Sequence, residues 1–235
     1  MLKDIGKYIF MIELGYKYIN IFKKTFFHPF ITQKVGYTWL SYDRQAYSNK
    51  VLEFLNIDVK LRGELPQKDK ILYVINHRSL LDIIVMEHIF SHSKKNGTWI
   101  AKQELFDAFY GDFFKFSGCI SVDLESKKGL IKFFKTIKKT FTKVDNFNLY
   151  MFPEGERNKT DELLAFQNGA AKIAKANNLE IVPVYINEKL EEIFKEAPFV
   201  EKRAIEVHIG ESIKSETLEE EYKTFVKNIK EKRGE

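Results

Sequence analysis

The sequence predicts an α/β fold, a largely parallel sheet flanked by helices, preceded by an amphipathic helical segment. Three observations point there. Apolar runs of strand length recur from residue 59 onward, with helical periodicity between several of them; that alternation builds parallel sheets covered on both faces. The 235 residues are 44% hydrophobic, which suits one large core and excludes global disorder. Charge is split unevenly. Residues 1–50 hold eight of the 38 Lys/Arg but three of the 33 Asp/Glu, which leaves residues 51–235 neutral.

Residues 2–27 set Leu2, Ile5, Ile9, Ile12, Tyr16, Ile19, Phe22 and Phe26 at steps of three and four, one apolar stripe of a helix. Lys3, Lys7, Lys17 and Lys24 fall mostly opposite, and Pro29 ends or bends the helix. An aromatic-rich stretch follows, with Phe30, Ile31, Val35, Tyr37, Trp39, Leu40 and Tyr42. Such rings beside lysines suit a headgroup interface. Residues 1–50 are therefore expected to lie on an anionic membrane surface; the alternative is a helix packed on the protein's own core. Residues 51–235 form the α/β domain. Its strands are expected at Val59–Arg62, Lys70–Ile75, Thr98–Ala101, Cys119–Asp123, Leu149–Phe152, Ile181–Ile186 and Ala204–Ile209. Its helices are expected at Leu80–His92, Lys127–Thr142, Gln167–Asn177 and Glu216–Lys232.

Composition narrows function. No run approaches the ~18 apolar residues that span a bilayer, and the start lacks a signal-peptide pattern. Cys119 alone cannot form an internal disulfide, which favours a reducing compartment, and it reads as a small buried apolar residue. Zinc-type Cys/His spacing is absent. With the basic excess confined to the N-terminus, no nucleic-acid partner is expected.

Two polar clusters follow apolar runs, where ligands gather in parallel sheets. The first is Asn76-His77-Arg78-Ser79-Leu80-Leu81-Asp82. A histidine in a turn and a carboxylate in the first helical turn make a general base and its orienting acid. Mid-helix, five residues would set them about 140° apart; Ser79 as N-cap with Asp82 at the third helical position brings them together. A helix cap alone is the other reading of Asp82. The second cluster is Phe152-Pro153-Glu154-Gly155-Glu156-Arg157-Asn158. Gly155 allows close backbone approach to a ligand. Arg157 offers a planar fork for phosphate or carboxylate, and Glu154 holds that arginine or a substrate hydroxyl. An ordinary turn with a surface ion pair is the alternative.

Together these clusters resemble the first and third motifs of the lysophospholipid acyltransferase family, Asn-His-x-Ser-x-x-Asp and Phe-Pro-Glu-Gly-Thr-Arg-Ser. Val182-Pro183-Val184 is similar to the short fourth motif, and Ala101-Lys102-Gln103-Glu104-Leu105 to the stretch between the first two. The likeness spans about residues 60–190. It implies a membrane-associated α/β acyltransferase with His77 and Asp82 as catalytic residues and Asn76, Lys102, Glu154, Gly155 and Arg157 about the substrate. His77 would take the proton of an acceptor hydroxyl, most simply that of lysophosphatidate, as it attacks an acyl thioester. The donor would be acyl-CoA or acyl-carrier protein, with no metal or bound cofactor. The expected location is the cytoplasmic face of a membrane, peripheral or monotopic. Three positions depart from the pattern. Leu124 stands where arginine is usual for acceptor phosphate, with Lys102, Lys127 and Lys128 as substitute cations; Glu156 replaces threonine; Gln167 replaces lysine. These departures keep open another acceptor, an amino-acid lysolipid or glycerol 3-phosphate. A non-catalytic lipid-binding protein is the remaining alternative.

Overall fold

The computed structural model describes residues 2–123, 126–144, 146–160 and 162–234. The strands are β1 (Ile57–Arg62), β2 (Ile71–Ile75), β3 (Gly97–Lys102), β4 (Ile120–Val122), β5 (Asn148–Met151), β6 (Glu180–Ile186) and β7 (Arg203–Ile209). They form one sheet in the order β1-β7-β6-β2-β5-β3-β4. Strands β6, β2, β5, β3 and β4 run parallel; β7 is antiparallel to β6, and β1 is parallel to β7. The sheet is thus mixed but largely parallel, as expected. β2 lies in its middle and is buried at every residue. Tyr73 and Ile75 enter one core, Leu72 and Val74 the other, so the run is apolar throughout rather than alternating.

The helices are α1 (Leu2–Phe26), α2 (Gln33–Leu55), α3 (Leu81–His92), α4 (Gln103–Asp107), α5 (Gly111–Phe116), α6 (Lys127–Lys143), α7 (Gly169–Asn177), α8 (Leu190–Glu196) and α9 (Leu218–Arg233). The core on one face draws on α1, α2, α3 and α8; the other draws on α6, α7 and α9. The strands and helices expected from the sequence all form, with ends shifted by a residue or two. Helices α4, α5 and α8 are too short for periodicity to reveal.

The N-terminal segment departs most from expectation. Most of the aromatic stretch, from Val35 on, is the first half of α2, whose N-cap Thr32 accepts from the Val35 N–H (3.3 Å) and whose C-cap Asn56 is left-handed at φ 57°. The boundary expected between residues 50 and 51 falls inside this unbroken helix. Arg44 shows why the segment is not an appendage. Its Nε pairs with Glu87 Oε1 of α3 at 2.9 Å. Its other nitrogens donate to Ser117 O and Gly97 O, both at 2.8 Å. Trp99 Nε1 reaches the same Glu87 oxygen at 2.7 Å. A buried guanidinium thus ties α2 to α3 and to β3.

α1 also turns differently. Leu14, Tyr18 and Phe22 face the core, while Ile5, Ile9, Ile12 and Tyr16 of the expected stripe are exposed, Ile12 at 71%. Lys7, expected on the polar side, is buried. Its Nζ donates to Phe194 O, Lys195 O and Ala197 O at 2.7, 3.0 and 3.1 Å. These are carbonyls at the end of α8, where a cation offsets the helix dipole. α1 has two apolar faces, and periodicity does not say which one the core takes. No helix among the described residues is long and apolar enough to cross a membrane.

Candidate active site

The site forms where β2 and β5 end. Asn76, first after β2, is 1% exposed, and its amide clamps β6: Nδ2 donates to Ile186 O (2.9 Å) and Oδ1 accepts from Ile186 N (2.8 Å). One of its two amide N–H groups and its oxygen are engaged by a neighbouring backbone; where a substrate contact was expected, Asn76 holds the end of β2 in place.

His77 follows in the turn before α3. Its Nδ1 lies 2.9 Å from Asp82 Oδ2. The same oxygen accepts the backbone N–H groups of Arg78 (2.6 Å) and Ser79 (2.8 Å). Asp82 is 1% exposed and sits in the first turn of α3, where the helix dipole favours its charge. The one carboxylate thus makes both contacts: Asp82 bonds the backbone of the turn and the imidazole Nδ1. The capping detail differs from expectation. Leu80 is the N-cap, and Ser79 Oγ accepts from Leu81 N (3.2 Å) rather than from Asp82 N. Ser79 Oγ also donates to Glu191 Oε2 at 3.1 Å, which commits the hydroxyl to a structural bond rather than a nucleophilic role. A carboxylate only accepts, so Nδ1 carries the imidazole hydrogen and Nε2 keeps its lone pair. The ring stacks on Phe152 (centroids 3.7 Å apart, planes at 8°), which in turn stacks on Trp99 (4.9 Å). This pile fixes the ring plane and shields one face from water.

The second cluster holds the first from below. Glu154 is 2% exposed. Its Oε1 accepts from His77 N (2.8 Å), and its Oε2 accepts from Asn158 Nδ2 and Leu164 N (both 3.1 Å). The expected contact with a substrate hydroxyl or with Arg157 gives way to these bonds; Glu154 sets the His77 backbone. Asn158 completes the frame. Its N–H donates to His77 O at 2.7 Å, and its Oδ1 accepts from Thr160 N at 2.8 Å. The bond to His77 O is a backbone one. Sequence reasoning missed Asn158 as a framing residue, although it closes the very motif that was singled out. Gly155 is left-handed at φ +74°, and a Cβ there would lie 3.1 Å from Gln167 Cγ. Its N–H closes a turn onto Phe152 O at 3.1 Å, so that group is not a free oxyanion donor.

Arg157 is exposed and directly precedes Asn158, whose backbone N–H bonds His77 O. Lys102 is half-buried at the end of β3, two strands from β2, roughly 10 Å across the sheet. Leu124 lies outside the described residues. A cavity of about 1000 Å³ opens beyond Lys102, between α2, α4 and α6, lined by Tyr37, Leu40, Phe106, Cys119, Ser121 and Phe133 among others. His77 is not on its wall. Cys119 is half-buried, and burial pushes its thiol up to about 11. No cluster of three or more metal-ligating side chains exists among the described residues.

The fold and site together are those of an α/β protein that presents a His–Asp pair after a central parallel strand. A family model described as acyltransferase matches residues 56–187, more than half of the chain. The chain belongs to the acyltransferase family. It is 40% identical over 129 residues to a 1-acyl-sn-glycerol-3-phosphate acyltransferase of Helicobacter pylori, covering 54% of this chain and 52% of that one. A Haemophilus influenzae protein of the same name is 27% identical over 137 residues, covering 55% and 53%. The chain thus spans about half the length of the curated relatives it matches. The crystal structure of the 1-acyl-sn-glycerophosphate (LPA) acyltransferase from Thermotoga maritima shares the fold, with a TM-score of 0.65 at 19% identity over 98% of this chain and 99% of that one.

Proposed function

We propose that this protein transfers a fatty acyl group from a thioester to the hydroxyl of a lysophospholipid, lysophosphatidate being converted to phosphatidate, at the surface of a membrane. The observation that carries the proposal is the 2.9 Å contact between His77 Nδ1 and Asp82 Oδ2. It leaves Nε2 to accept the acceptor's proton as the oxygen attacks the thioester carbonyl. The carbon–sulfur bond then breaks, and the proton held on His77 passes to the leaving thiolate. Histidine suits both steps because its ordinary pKa is about 6.5. Asp82 stabilises the imidazolium that forms between them. The exposed Arg157, with Lys102 across the sheet, supplies positive charge for the acceptor's phosphate. The names of the curated relatives support lysophosphatidate as acceptor.

Membrane contact rests on the exposed face of α1, with Ile5, Ile9, Ile12 and Tyr16, and on Phe27 and Phe30 of the turn before α2. Removing α1 altogether would uncover Leu14, Tyr18 and Phe22, so point changes make the cleaner test. Ile9→Asp with Ile12→Asp is expected to lower sedimentation with anionic vesicles while the melting temperature holds; unchanged partitioning would reject this face. His77→Ala is expected to abolish phosphatidate formation in a folded protein, and retained turnover would reject the base.

A further inference from the structure

Helix α6 carries seven lysines between Lys127 and Lys143 and no acidic residue. At 100° per residue they fill one arc of about 160°, opposite the side that buries Phe133 and Ile137. All seven are exposed. None forms an ion pair with a described residue. α9 shows the usual arrangement by contrast: its Lys223 and Lys227 pair with Glu219 and Glu231 one turn away. Within the lysine arc sits Ile131, 56% exposed, a turn from Lys127, Lys128 and Lys135. The neutral charge sum of residues 51–235 conceals this segregation.

We infer that this face of α6 docks an acidic carrier protein bearing the acyl thioester, so that the donor is acyl-carrier protein rather than acyl-CoA. This rests on the acyltransferase reading above. α6 starts just beyond the carboxyl end of β4, at the end of the parallel strands where His77 stands after β2. A carrier whose thioester rides on a long flexible arm can sit on α6 and reach that end. The lysines run along about 25 Å of helix. Coenzyme A concentrates its phosphates at one end and needs only a short cluster, whereas an acidic protein surface matches the whole length. A lone apolar side chain ringed by charge is what a protein interface uses as an anchor. A bilayer contact instead wants a row of apolar side chains. The chain offers such a row on α1, which belongs to the layer on the opposite face of the sheet.

The test compares acyl-carrier protein and acyl-CoA of one chain length as donors to lysophosphatidate in neutral detergent micelles, with the full chain. In the triple variant Lys135→Glu, Lys138→Glu, Lys139→Glu, KM for the carrier-bound donor is expected to rise about tenfold or more, with kcat held and acyl-CoA kinetics within about twofold. Ile131→Asp is expected to act in the same direction, and the matching Lys→Arg triple to behave as wild type. Equal losses with both donors, a triple variant normal with the carrier, or a wild type that takes acyl-CoA but not the carrier would each overturn the inference. So would a variant impaired only in binding anionic vesicles, which would make α6 a membrane contact. A wild type inactive with both donors would overturn the acyltransferase reading along with it.

Discussion

Asp82→Asn isolates the charge of the carboxylate from its hydrogen bonds. All three donors meet on one oxygen, Oδ2: His77 Nδ1, Arg78 N and Ser79 N. An asparagine can leave its carbonyl oxygen in that place, because turning the amide would bring NH₂ against two backbone N–H groups. The imidazole tautomer therefore survives, and what disappears is a negative charge beside the imidazolium. Two unit charges about 4 Å apart interact by about 4 kcal/mol at an effective dielectric constant near 20. That is a loss of roughly 10³-fold in kcat, since ~1.4 kcal/mol is a factor of ten. KM should hold, because Asp82 is buried behind the histidine. Stability should fall by only about 1–3 kcal/mol as charge-assisted bonds become neutral ones. Asp82→Ala removes the acceptor altogether and leaves the buried Arg78 and Ser79 N–H groups unsatisfied, at about 1–3 kcal/mol each. Initial rates of phosphatidate formation and thermal melts on both variants decide the matter. An asparagine variant within a few-fold of wild type in kcat would show that the carboxylate charge does nothing for His77. Parallel loss of turnover and melting temperature in both variants would reduce Asp82 to a cap.

Two further outcomes follow from the packing. Arg44→Met strands Glu87 as an uncompensated buried charge, and a cost of about 3–5 kcal/mol is expected; Arg44→Met with Glu87→Met should recover most of it in denaturant titrations, and no recovery would mean that the pair is not coupled. Cys119 should label slowly with thiol reagents: with the thiol held at about 11, roughly one molecule in 10³ is thiolate at pH 8. Because that value is raised, the reactive form grows as pH rises, so the labelling rate of the native protein should climb about tenfold per pH unit between pH 8 and 10. A rate flat over that range would show that opening of the structure, not ionisation, limits the reaction.

Much of the fold and the heart of the site were legible from local pattern. β2 announces itself by five consecutive apolar residues, and α6 by its strong amphipathic spacing. His77 and Asp82 could be paired on paper because five residues of turn and first helical turn fix their separation. The second motif could be brought to the first only because the two follow neighbouring strands, β2 and β5. Asn76 and Glu154 were legible as site residues but not in their roles, and Asn158 was not singled out as one. The side chains of Asn76 and Glu154 bond groups far away in the chain, Ile186 and the N–H of His77, and Asn158 reaches the carbonyl of His77 with its backbone N–H. Residue type tells what can be donated or accepted, not to whom.

Local periodicity and hydrogen-bonding chemistry thus determined by themselves the strands, the longer helices and the His–Asp dyad, since all of these close within a few residues of chain. The tertiary structure alone decided which apolar face of α1 meets the core, why Lys7 is buried, and that Arg44 locks α2 into the domain. Those outcomes depend on carbonyls and carboxylates that arrive from distant segments, Phe194, Lys195 and Ala197 for Lys7 and Glu87 for Arg44. A buried charge goes where its partners are, and only the folded chain brings them together.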